Sequence, residues 1–169
     1  MNDDSVGFFD PDARVEELTG TLPHWRQEGV IYFVTFRLAD SIPQEMLRQW
    51  SAELAAWTRD HPEPHDEQTR RDFYARFPHR IQHWLDAGYG SCVLRIPEVA
   101  SLVETALGYF HRKRYLLDES VVASNHVHAL VTPLPDYTLS KILHSWKSFT
   151  AHEILKVEAA SRRLAAGQN

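Results

Sequence analysis

Two imidazoles, His126 and His128, stand two residues apart in the segment VVASNHVHAL at 121–130, directly after Asn125 and inside an otherwise apolar run. If the segment is a strand, residues i and i+2 share a face and lie about 6.6 Å apart along the chain. Both rings then converge on one side while Val127 packs on the other. Neutral imidazole suits borderline divalent metals, and a site that keeps open positions polarises a substrate oxygen. Two protein ligands are too few for a closed structural zinc site, so an open catalytic site is the better metal reading. The alternative is structural: one histidine is hydrogen-bonded within the sheet and the other is incidental. An H-x-H pair is short and frequent by chance. Spacing alone leaves both readings open.

Attraction of a polyanion is the second chemistry to consider, and it has two candidate carriers. The segment HRKRY at 111–115 sets Arg112, Lys113 and Arg114 between a helical and an extended pattern. Over 138–158, at about 100° per residue, Leu139, Ile142, Leu143, Trp146, Phe149, Ile154 and Val157 share one arc. Lys141, His144, Lys147, His152 and Lys156 fall outside it. One side of this helix can pack on a sheet while the other offers cations and imidazole donors. An ordinary solvated face has the same pattern. The net charge of −5 excludes a global attraction to nucleic acid, so any such surface must be local.

The elements that position these residues follow from periodicity. GVIYFVTFRLAD (29–40) is rich in β-branched and aromatic residues and reads as a buried strand. A helix follows, with Pro43 in its first turn and Met46, Leu47, Trp50, Leu54 and Trp57 at helical spacing. Residues 58–71 are polar and proline-broken and read as a loop insertion. The next helix carries Phe73, Phe77, Ile81, Trp84 and Leu85, with Pro78 as a kink or break and Gly88 as its stop. SCVLRI (91–96) reads as a short strand. After Pro97, Val99, Leu102, Val103, Ala106, Leu107 and Phe110 form one apolar stripe. YLLDESVVAS and HVHALVTP are two strands around a polar turn at Ser124-Asn125. The order β-α-α-β-α-β-β-α predicts an α+β fold, a ferredoxin-like antiparallel sheet with helices packed on one face.

A chain of 169 residues fits a single domain. Its composition, 43% apolar and 24% charged, is that of a globular protein and excludes disordered and fibrous classes. The apolar runs fall far short of a bilayer span, and the acidic start MNDDSVGFFD does not resemble a signal peptide. The single cysteine, Cys92, excludes an internal disulfide and a cysteine-rich zinc site. A cytoplasmic protein without a membrane partner is expected.

SNHVHALVTP resembles the PNHVHLLVTP signature of the HUH single-strand nucleases. More narrowly, it is similar to the REP-associated tyrosine transposases and their small single-tyrosine relatives. The resemblance extends to HWRQEGVIYFVTFRLADSIP (24–43), WLDAGYGSCVLRIPEVASLVETAL (84–107), RYLLDESVVASNHVHALVTP (114–133) and LSKILHSWKSFTAHEI (139–154), in the family's order. It implies a ferredoxin-like domain spanning 1–169, in which His126 and His128 help bind a divalent cation, Mg²⁺ or Mn²⁺. That ion grips the scissile phosphate of single-stranded DNA beside a hairpin. A tyrosine hydroxyl attacks the phosphorus, leaving a 5′-phosphotyrosine link and a 3′-OH for rejoining in DNA transposition. Asn125 matches the motif and is expected to shape the turn. DNA is expected along Arg112, Lys113, Arg114, Lys141, His144 and Lys147, and a homodimer is the family-based expectation.

One part of the family pattern is not found. The family's nucleophile lies on a C-terminal helix in a pattern like Y-I-x-x-N, which puts tyrosine and a further ligand on one helical face. None of the six tyrosines, Tyr32, Tyr74, Tyr89, Tyr109, Tyr115 and Tyr137, has Asn or Gln four residues on. The sequence ends at RRLAAGQN, where family members continue to the tyrosine helix. Three expectations follow: a C-terminally incomplete chain, a non-catalytic DNA-binding remnant or regulator, or a tyrosine supplied by another polypeptide. A metal-dependent phosphodiesterase using activated water is a further reading that needs only the metal site. Glu153 is disfavoured as a third ligand because it falls inside the apolar arc.

Overall fold

A computed structural model describes residues 16–18, 24–27 and 29–166. The first two strands, β1 (Glu16–Leu18) and β2 (His24–Arg26), pair antiparallel with Glu16 opposite Arg26. A three-stranded antiparallel sheet follows, built from β3 (Tyr32–Arg37), β4 (Tyr115–Val122) and β5 (His126–Pro133) in the order β3-β5-β4. Between β3 and β4 run α1 (Gln44–Asp60), α2 (Glu67–Arg76), α3 (Pro78–Asp86) and α4 (Pro97–Gly108), and α5 (Leu139–Ala166) follows β5. The fold is α+β, as the element order predicts. The strand that precedes the helices lies beside β5 rather than β4, which is the ferredoxin-like arrangement of such a set. Among the described residues no helix is long and apolar enough to cross a membrane.

Several expectations are corrected by long-range structure. The strand read over 29–40 is shorter and half-open: Val34 is buried, but Phe33, Thr35 and Arg37 are exposed. Its place at the edge of the sheet, which local sequence does not encode, leaves it without a strand neighbour on one side. The strand read over 91–96 is instead a 3₁₀ turn, Val93–Arg95, with Leu94 buried. Cys92 at φ 50° turns the chain, the Arg95 amide donates to the Cys92 carbonyl at 3.0 Å, and Pro97 starts α4 directly. Pro43 is the N-cap of α1 rather than part of its first turn. Pro78 does break its helix, ending α2 and opening α3. Within 58–71 the irregular stretch is 61–66. There the Asp66 carboxylate accepts from the Thr69 amide at 2.7 Å and caps α2.

The described residues group into two compact units. One takes those up to Thr35, Ile96–Val122 and those from Val127 onward, and the other takes Phe36–Arg95 and Ala123–His126. In the first, α4 presents Val99, Val103, Ala106 and Leu107 to a core shared with Tyr115, Val127, Ala129, Val131, Ile142 and Trp146. The Trp146 indole donates to the Tyr115 hydroxyl at 2.8 Å, and that hydroxyl donates to the Leu107 carbonyl at 2.7 Å. Two helices and a strand are thus tied through one buried oxygen. The inward line of α5 runs through Ile142, Trp146, Thr150 and Ile154, while Phe149, placed in the apolar arc by periodicity, is 51% exposed. Thr150 tolerates the buried position because its hydroxyl donates to the Trp146 carbonyl at 2.7 Å. In β4 the register steps between Leu117, opposite Val131, and Ser120, opposite Ala129, so that Asp118 and Glu119 together face Leu130. The second unit is centred on an aromatic cluster in which Trp57 and Phe77 are both buried.

Candidate functional site

Asn125 and His126 belong to the second unit, and both are buried. The Asn125 side-chain amide donates to the Tyr89 carbonyl at 3.1 Å, which turns its oxygen toward His126, 2.8 Å from Nδ1. An amide oxygen at that distance accepts from an Nδ1–H, so this contact orients the imidazole ring. A backbone link from Leu38 N to Asn125 O at 2.9 Å fixes the same residue from a third direction. Asn125 was expected to shape a turn. In addition it orients the ring of its neighbour.

The loop that supplies the Tyr89 carbonyl is itself tightly determined. Gly88 and Gly90 have φ of 72° and 87°, and a Cβ on Gly90 would sit 2.4 Å from the Asp40 carbonyl oxygen. Only glycine meets both requirements. The Ser91 amide donates to the Asp40 carboxylate at 2.7 Å, and this hydrogen bond is the main cause holding the Asp40 carboxyl below its ordinary range.

His128 belongs to the first unit and is half-buried. Its Nδ1 lies 2.8 Å from the Thr35 hydroxyl, and its ring stacks on Phe33 at a centroid distance of 5.2 Å and an interplanar angle of 19°. Its cross-strand partner is Val121. Phe33 and Val121 are 68% and 60% exposed, so this side of the sheet is open to a ligand. In β5 the two histidines flank buried Val127, with His126 buried and His128 half-buried. Each ring has its Nδ1 engaged by a neighbour, the arrangement in which a metal-ligating imidazole is oriented by its surroundings. Among the described residues no group of three or more His, Cys, Asp or Glu side chains could hold a metal ion. Glu153 is paired with Lys156 at 2.7 Å.

The basic residues separate into two sets. Arg112, with φ 62°, and Lys113 are exposed in the turn between α4 and β4. His144 and Lys147 are exposed on α5. Arg114 and Lys141, 27 positions apart in sequence, instead meet at one cleft of about 260 Å³ together with Phe110 and Tyr137. The Arg114 guanidinium carbon lies 3.4 Å from the Phe110 ring centroid and 5.9 Å from that of Tyr137. Arg112, Lys113, His144 and Lys147 do not line it. Sequence reading missed Phe110 and Tyr137 as site residues. The available signal was an aromatic immediately before each of the two basic segments. It likewise missed Thr35, Phe33 and the Tyr89 carbonyl, which reach the motif only through the tertiary fold.

No curated protein and no solved structure gives a match to this chain. A family comparison does, over residues 97–168, to the family described as "Transposase IS200 like". That span runs from α4 through β4 and β5 to α5, and holds both histidines and all six basic residues considered above. It leaves out β3 and α1–α3, and with them Thr35 and the Tyr89 loop. Over residues 97–168, less than half of its length, the chain is similar to the IS200-like transposases.

Proposed function

We propose that this chain is a DNA-processing domain of the small single-tyrosine transposases, REP-associated in kind, acting on single-stranded DNA beside a hairpin. His126 and His128 are its phosphate-gripping pair, holding Mg²⁺ or Mn²⁺. The observation that carries this reading is the Asn125–His126 contact, which engages Nδ1 and fixes the orientation of the ring. Thr35 orients His128 in the corresponding way. When bound, the cation supplies charge neutralisation at a phosphoryl oxygen. Two imidazoles favour Mn²⁺ over Mg²⁺, which prefers oxygen ligands. The exposed cations on α5 and in the α4–β4 turn hold the flanking phosphates. The domain is expected to work in a cytoplasmic setting and as a homodimer.

A second reading, DNA binding without cleavage, needs only the exposed cations on α5 and in the α4–β4 turn. Gel retardation of hairpin-bearing single strands, with Mn²⁺ or with EDTA, separates the two. If the proposal holds, retention depends on Mn²⁺ and both His126→Ala and His128→Ala lose that dependence. Equal affinity of both variants and wild type, with or without the ion, selects the non-catalytic reading. Failure of the wild-type protein to retain any such DNA overturns both.

A further inference from the structure

We infer that the cleft between the end of α4 and the start of α5 is a clamp for one nucleotide of single-stranded DNA, gripping its phosphate with Arg114 and Lys141 and stacking its base on Tyr137. This rests on the DNA reading above and names one contact point within it.

The chemistry of the lining narrows the ligand. In a chain of net charge −5, two cations meet at this cleft, and no acidic residue lines it. Among the described residues neither Arg114 nor Lys141 forms an ion pair with a carboxylate. An anion is therefore the complementary charge. The Arg114 guanidinium is held by stacking on Phe110, which leaves its planar N–H edge for a phosphate oxygen. The cleft floor is made by Tyr115, whose hydroxyl is already committed to Leu107 and Trp146, and by Ile142. That floor offers a flat ring no competing polar group. A carboxylate or bare phosphate would use the cations and leave Tyr137 idle, whereas a nucleotide uses both. The volume of about 260 Å³ lies just under the range of drug-sized pockets, about 300–1,000 Å³, and suits a single nucleotide.

The cleft is separate from the histidine strand. The Leu134 amide donates to the Arg114 carbonyl at 3.0 Å, and Tyr115 pairs with Pro133, so Arg114 sits at the end of the β4–β5 pair remote from His128. From His128 to Leu134 the strand rises about 20 Å. Substitutions in the cleft therefore leave the Thr35–His128 contact in place.

The test is fluorescence anisotropy of a labelled oligothymidine with Tyr137→Ala, Tyr137→Phe, Lys141→Ala and wild type, each checked for an unchanged melting temperature. Tyr137→Ala and Lys141→Ala are each expected to weaken binding by about 5- to 100-fold, and Tyr137→Phe to keep wild-type affinity. Lys141→Ala should also flatten the slope of log K against log salt by about 0.7. In NMR titrations thymidine 5′-monophosphate should shift the Tyr137 and Ser145 signals at concentrations where inorganic phosphate does not. Wild-type affinity in Tyr137→Ala overturns the clamp while leaving the DNA reading standing. Equal shifts from phosphate and mononucleotide reduce the cleft to an anion site and overturn it too. Binding of the mononucleotide with no binding of the oligomer overturns the clamp and the DNA reading together.

Discussion

Asn125 shows how one buried amide divides its work between shape and chemistry. Its nitrogen answers the Tyr89 carbonyl, its oxygen answers His126, and neither bond can be exchanged without turning both. The motif position of Asn125 was legible in the sequence, but its partner 36 residues earlier was not, because the pairing exists only once the Gly88–Gly90 loop has folded. Asp40 anchors that loop through the Ser91 amide. With its carboxyl held below its ordinary range in the folded state, Asp40 stabilises the fold above its unfolded value. That stabilisation is lost as pH falls below about 4. Asp40→Asn should therefore lower the unfolding midpoint at neutral pH. The gap from wild type should close as the pH drops through the acid range, as followed by urea titrations at a series of pH values.

At the scale of elements, α4 and α5 read clearly from the sequence because each carries a long apolar pattern at helical spacing. What periodicity could not rank was which side chain at a stripe's margin goes inside. Thr150 displaces Phe149 from the inward line of α5 because its hydroxyl is satisfied within the helix, whereas the larger ring finds no place there. SCVLRI is too short for its pattern to distinguish strand from turn, and Pro97 with the backbone at Cys92 settled the matter. The oxygen that joins these elements gives a direct test. Tyr115→Phe removes an acceptor from the Trp146 indole and a donor from the Leu107 carbonyl with almost no change in volume. It should cost about 1–3 kcal/mol in the free energy of urea unfolding, while leaving the far-ultraviolet spectrum of the native state unchanged.

For the molecule as a whole, the α+β class followed from element order, whereas the exposed flank of β3 depended on strand neighbours that local sequence does not name. The meeting of Arg114 with Lys141 is of the same kind. Both were recognisable as cations, and only the tertiary fold makes them one site. The register step in β4 has a consequence of this sort for the sheet. Strand side chains alternate in parity, and one supernumerary residue inverts the parity of everything beyond it. Before the step the odd positions Tyr115 and Leu117 share a side with Val131; after it the even positions Ser120 and Val122 share that side with Ala129 and Val127. Val121 is thereby delivered to the histidine side, opposite His128. Deleting Asp118 should force a choice between the two phases and lower the free energy of unfolding by more than about 3 kcal/mol, whereas Asp118→Ala, at an exposed site, should stay within about 0.5 kcal/mol. Thermal melts of the two variants provide the comparison. The identity of the residue at 118 is immaterial; its mere presence in the count decides which side chains His128 has for company.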